Sequence, residues 1–72
     1  MMKSFERLAN AIILKAVADY RQSLRRCNQH PEKELFTQDK NTLERFFRSD
    51  WFGVLTNLDP EILIHKLCEE VA

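Results

Sequence analysis

The sequence has little that interrupts a helix. One glycine and two prolines serve all 72 residues. A sandwich or barrel needs a turn signal every ~8–12 residues, and three breakers cannot supply them. A single glycine also leaves no glycine-rich loop to cradle a phosphate. No apolar run approaches the ~18 residues that span a bilayer. Net charge is absent as well, because eleven Lys and Arg balance eleven Asp and Glu. Nucleic-acid binders are usually basic overall, so the balance argues against that class. Cysteine is scarce, and Cys27 and Cys68 stand far apart in the chain. In a cytoplasmic protein both are thiols.

What is present is apolar and helix-compatible. Leu, Ile, Val and Phe supply 21 of 72 residues, too many for a disordered chain. Together with the missing breakers, this points to an all-α fold, a small helical bundle forming one domain over residues 1–72. A chain this small excludes a cofactor-binding α/β domain, and nothing in it calls for a cofactor.

The N-terminus imitates a secretion signal. Lys3 and Arg7 precede an apolar stretch, and Ala16-Val17-Ala18 has the form of a cleavage site. Glu6, Asn10 and Lys15 interrupt that pattern, and cleavage would remove the most apolar helix, so a cytoplasmic location is expected.

The spacing predicts a long first helix over residues 4–29, with Ser4 as N-cap and Glu6 in the first turn. At 100° per residue, Phe5, Ala9, Ile12, Ile13, Ala16, Tyr20, Leu24 and Cys27 share one face. Residues 8–18, LANAIILKAVA, are apolar almost all round and need cover on every side. His30-Pro31 ends this helix. A second helix begins somewhere between Glu32 and Asp39 and ends near Arg48, with Leu35, Phe36, Leu43, Phe46 and Phe47 on one side. Ser49 caps a short helix over 50–56 that carries Trp51, Phe52, Val54 and Leu55. Asp59-Pro60-Glu61 starts a last helix reaching about residue 71, striped by Leu63, Ile64, Leu67 and Val71.

Length argues for self-association. A 26-residue helix is ~39 Å long, whereas a compact domain of this size has a radius of gyration of ~11 Å and a diameter of ~29 Å. The first helix should therefore overhang its domain by about two turns. A homodimer, or pairing with another protein, is the expectation. The candidate contact residues are Ile13, Leu14, Val17 and Tyr20 on the first helix, with Trp51 and Phe52 from the aromatic segment Phe46–Phe52. Most of that segment is expected in the core. Exposure would make Trp51 or Phe52 an interaction hot spot.

Three other constellations are weaker. Cys27, His30, His65 and Cys68 make the ligand set of a Cys2His2 zinc site. Their spacing is not that of a zinc finger, and buried cysteine is commonly a small core residue, so ordinary packing is the preferred reading. Arg21, Arg25 and Arg26 form a basic cluster near the end of the first helix. It reads first as a solvated face offsetting the helix dipole, and second as a contact patch for nucleic acid, extended by Lys15 and Arg7. Residues 50–71 outline a helix-turn-helix, but Glu61, Glu69 and Glu70 against a lone Lys66 would repel DNA. No catalytic arrangement stands out, and a non-enzymatic chain with no small-molecule substrate is expected. Charge is polarised: residues 1–29 hold six basic and two acidic groups, and residues 59–72 one basic and four acidic.

AIILKAVADYR (11–21) and LERFFRSDWFGVLTNLDPEILIHKL (43–67) resemble a group of small helical proteins encoded in Firmicutes prophages and mobile elements. The resemblance covers most of the chain, and the stretch over 46–52 carries most weight. It implies a phage or mobile-element origin in a bacterial host cell, with no assigned activity. It carries no functional residues over. Members of the group do not generally keep Cys or His at positions matching 27, 30, 65 and 68, which further weakens the zinc reading.

Overall fold

The computed structural model describes the backbone of residues 2–71 and the side chains of residues 5–71. Among the described residues four helices follow one another: α1 (Met2–Gln29), α2 (Glu34–Phe47), α3 (Asp50–Leu55) and α4 (Pro60–Val71). No strand occurs among the described residues. The chain is an all-α small helical bundle.

Most boundaries follow from local chemistry. His30 and Pro31 stop α1, with the His30 amide donating back to the Arg26 carbonyl at 2.8 Å. Ser49 sits in extended backbone, its Oγ accepting from the Phe52 amide at 3.3 Å and donating to the Phe46 carbonyl at 2.6 Å. One hydroxyl thus closes α2 and opens α3. Asp59 Oδ1 accepts from the amides of Glu61 at 2.9 Å and Ile62 at 3.4 Å, which fixes the start of α4 behind Pro60. One expectation needs correction, and one boundary left open is now placed. The helix at the N-terminus begins at Met2, so Ser4 lies inside it and Glu6 falls beyond its first turn. The cap of α2 is Lys33, whose side chain makes no capping hydrogen bond. That explains why its start carries no clear sequence signal.

α1 is the spine against which the other three helices pack. α2 returns antiparallel to it: Arg26 lies over Phe36, whereas Tyr20 meets Phe47. α4 runs in the same direction as α1: its start is tied through Glu61 to Arg48 at the end of α2, beside the middle of α1, and its end reaches Tyr20 and Arg21 through Cys68 and Glu70. The core holds Ala9, Ile13, Ala16, Val17, Tyr20 and Leu24 of α1 against Phe47, Phe52, Leu55, Ile64 and Leu67. Its centre is aromatic. Phe47 stands edge-on to Tyr20, ring centroids 5.4 Å apart, and to Phe52 at 5.5 Å. Such edge-to-face pairs are favoured by the ring quadrupoles.

The molecule is a rod of 46 × 19 × 19 Å with a radius of gyration of 13.1 Å. This is longer than a sphere of its mass, because α1 alone is ~42 Å long and the short helices follow it. α2, at 14 residues, covers only ~21 Å of that length.

Candidate interaction surface

The residues expected to meet a partner divide sharply. Ile13, Val17, Tyr20 and Phe52 lie in the chain's own core, with Tyr20 at 0% and Phe52 at 1% exposure. Their α1 positions face the groove between α2 and α4, and Phe52 plugs the aromatic centre, so they are not available to a partner of the folded chain. Leu14 and Trp51 do remain outside, at 68% and 55% exposure. The segment 46–52 therefore buries Phe47 and Phe52, half-buries Phe46 and presents Trp51.

Further apolar side chains stay exposed: Phe5, Leu8, Leu35, Val54, Leu58 and Ile62. The periodicity puts Phe5 and Leu35 on apolar stripes, yet both are exposed, at 52% and 64%. Trp51 and Val54, three apart, share one face of α3. Leu58 and Ile62 flank the start of α4. Glu61 stands nine residues before Glu70, so ~13.5 Å of helix puts it level with about Ile12 of α1. The α3–α4 elbow thus lies toward the same end as Phe5 and Leu8. The signal that could have located this surface is the width of the apolar arc in residues 8–18, broader than three short helices can cover.

A groove of about 440 Å³ runs between α1 and α2, lined by Ala11, Ile12, Ala16, Leu43 and Phe46 and edged by Lys15 and Asp19. Lys15 and Asp19 form an exposed ion pair at 3.4 Å.

The basic cluster is not a patch. Arg21 makes a two-pronged bond to Glu70 on α4, while Arg26 turns to the other flank and lies 5.7 Å from the Phe36 ring on α2. The reason is angular, since residues 21 and 26 stand ~140° apart around a helix. Only Arg25 of the three is left without such a partner among the described residues. The Arg21 hydrogen bond holds the Glu70 carboxyl below the usual carboxylate range. A second fork links Arg48 to Glu61 at 2.6 and 3.0 Å, with Glu44 at 3.4 Å on the other side of the guanidinium. Its hydrogen bond lowers the Glu61 carboxyl and raises the Arg48 guanidinium. The polarised charge of the sequence is thus used partly within the chain, with α4's acids paired to arginines of α1 and of the α2–α3 junction.

The four potential zinc ligands do not converge. Cys68 Sγ lies 3.6 Å from the Tyr20 hydroxyl, His30 pairs with Glu32, and His65 with Glu69. No group of three His, Cys, Asp or Glu side chains is gathered for a metal among the described residues. The helix-turn-helix outline does form, as α3, a connector and α4, but two of α4's acids are tied into the forks.

One polar constellation was missed by sequence reasoning. The Tyr20 hydroxyl donates to Glu44 Oε2 at 2.7 Å, and its oxygen faces the Cys68 thiol. Three helices meet at this one hydroxyl. Burial, reinforced by the Cys68 and Glu44 contacts, pushes the phenol well above its ordinary value. A hydroxyl that joins three helices suits a structural pin.

No helix among the described residues is long and apolar enough to cross a membrane. Compared with protein-family models, with curated proteins and with solved structures, the chain has no match.

Proposed function

We propose that this chain is a small non-enzymatic protein that works by protein–protein contact and associates with itself. The observation that carries the reading is that eight large apolar side chains among the described residues are more than half exposed on so small a molecule. Six of them, Phe5, Leu8, Trp51, Val54, Leu58 and Ile62, lie on the N-terminal part of α1 or on the α3–α4 elbow. At roughly 100 Å² each, they expose ~600 Å² of apolar surface, divided between the N-terminal part of α1 and the α3–α4 elbow. Small domains gain stability by association because their own burial is marginal. A role in a phage or mobile element, in a bacterial cytoplasm, fits the sequence resemblance.

Light scattering coupled to size exclusion, across micromolar concentrations, tests this. The expected mass is twice 8.6 kDa, and 8.6 kDa throughout would refute self-association. The competing nucleic-acid reading loses support because Arg21 and Arg26 already have partners on opposite flanks of α1. A gel-shift titration at low salt is expected to show no retained DNA or RNA.

A further inference from the structure

Phe5, Leu8 and Ile12 recur at three- and four-residue spacing, so they form one strip along α1. The strip has two parts. Toward the N-terminus it is a ridge, where Phe5 and Leu8 stand 52% and 61% exposed. Farther along it becomes the groove beside Ile12, Leu43 and Phe46. The change occurs where α2 ends: its last turn packs near the middle of α1, and no helix continues along this flank.

A ridge and a groove in sequence on one strip make a self-complementary surface. A two-fold rotation through a point between them lays each ridge in the other copy's groove, which is the requirement for a closed isologous dimer. The midpoint between Phe5–Leu8 and the Ala11–Asp19 groove falls near residues 10–11. Ala11 and Ala16 line the groove and let a second helix come close.

The area lies toward the lower end of what a standard interface uses. A standard interface buries ~800 Å² per partner, of which about 57%, or ~450 Å², is apolar. Phe5 and Leu8 together present on the order of 200 Å², and Ala11, Ile12, Leu43 and Phe46 raise the strip to ~400 Å².

We infer that the partner of this strip is a second copy of the chain, its α1 lying antiparallel with Phe5 and Leu8 seated in the groove between α1 and α2. This rests on the reading that the protein self-associates and adds which face does so. The elbow bearing Trp51, Val54, Leu58 and Ile62 stays outside this contact.

The test compares wild type with Leu8→Glu and Trp51→Glu by light scattering, with circular dichroism to confirm that each is helical. Both positions are more than half exposed, so both variants keep the fold. Two glutamates face the dimer's apolar strip in the Leu8 variant, which weakens association about 100-fold or more and returns the mass to 8.6 kDa. The Trp51 variant stays dimeric. A spin label at Asn28→Cys, with Cys27 and Cys68 changed to serine, is expected to give a distance of about 50 Å between copies, set by the antiparallel α1 axes. A dimer dissolved by Trp51→Glu and untouched by Leu8→Glu overturns this interface and leaves self-association standing. A label distance under ~25 Å overturns the antiparallel arrangement. A monomeric wild type overturns both readings.

Discussion

Tyr20 is the only tyrosine in the chain, so its ionisation can be followed without assignment. In the folded state the phenol is 0% exposed, donates to Glu44 and has its pKa raised by burial. In the unfolded state it titrates near ~10. A group with a raised folded pKa contributes stability that is intact below the unfolded value and declines above it. Stability should therefore fall by about 1.4 kcal/mol for each pH unit above ~10. Tyr20→Phe removes that dependence but also removes a hydrogen bond to a charged acceptor, a loss of ~1.5–3 kcal/mol at neutral pH. Wild type begins higher, falls, and meets the flatter variant at about pH 11–12. The assay is chemical denaturation monitored by far-ultraviolet circular dichroism across alkaline pH, with tyrosinate absorbance followed in parallel. Tyrosinate should appear in one cooperative step together with loss of helix. Gradual ionisation near pH ~10 with full helicity retained would refute the reasoning, since it would show the phenol free to meet water.

Phe47→Ala empties the aromatic centre between Tyr20 and Phe52. It should cost ~3–5 kcal/mol, comparable to the whole stability of a domain this size, and appear as partial loss of helix at room temperature. Ser49→Ala removes the hydroxyl shared by α2 and α3 and should cost about 1 kcal/mol in urea titration with an unchanged slope. The lowered carboxyls of Glu61 and Glu70 contribute stability that is present above their ordinary pKa and lost as pH falls below it. Arg48→Gln should therefore flatten the acid limb of the stability profile below about pH 4.5 and leave neutral-pH helicity unchanged.

Local signals in the sequence and the observed elements agree where the physics is local. Ser49 and the Asp59-Pro60-Glu61 run act within a few residues, and both do in the structure what their chemistry predicts. α2 was vague because Lys33 caps nothing, so no residue marks the start. Burial was legible where a stripe is narrow, as at Tyr20 and Leu24. It was misjudged at Phe5 and Leu35; at Phe5, periodicity tells which face of a helix is apolar and not how far along its length a neighbour extends. The pairs Arg21–Glu70, Arg48–Glu61 and Tyr20–Glu44 join distant positions, and only the packing of three helices brings them together. The arginine cluster failed for a simpler reason. Adjacent residues on a helix point in different directions, and a run in sequence is not a patch in space.

Tyr20 is pinned by Glu44 from α2 and faces Cys68 from α4. That geometry has a consequence during synthesis. At ~5–20 residues per second, the ribosome adds Cys68 roughly 2–10 s after Tyr20. α1 and α2 can pair as soon as both have emerged, but the flank of α1 that receives Ile64 and Leu67 must wait for the last helix. Through that interval the newborn chain carries an uncovered apolar face. Any premature stop codon upstream of α4 leaves it uncovered for good, a product that quality-control proteases are well placed to remove.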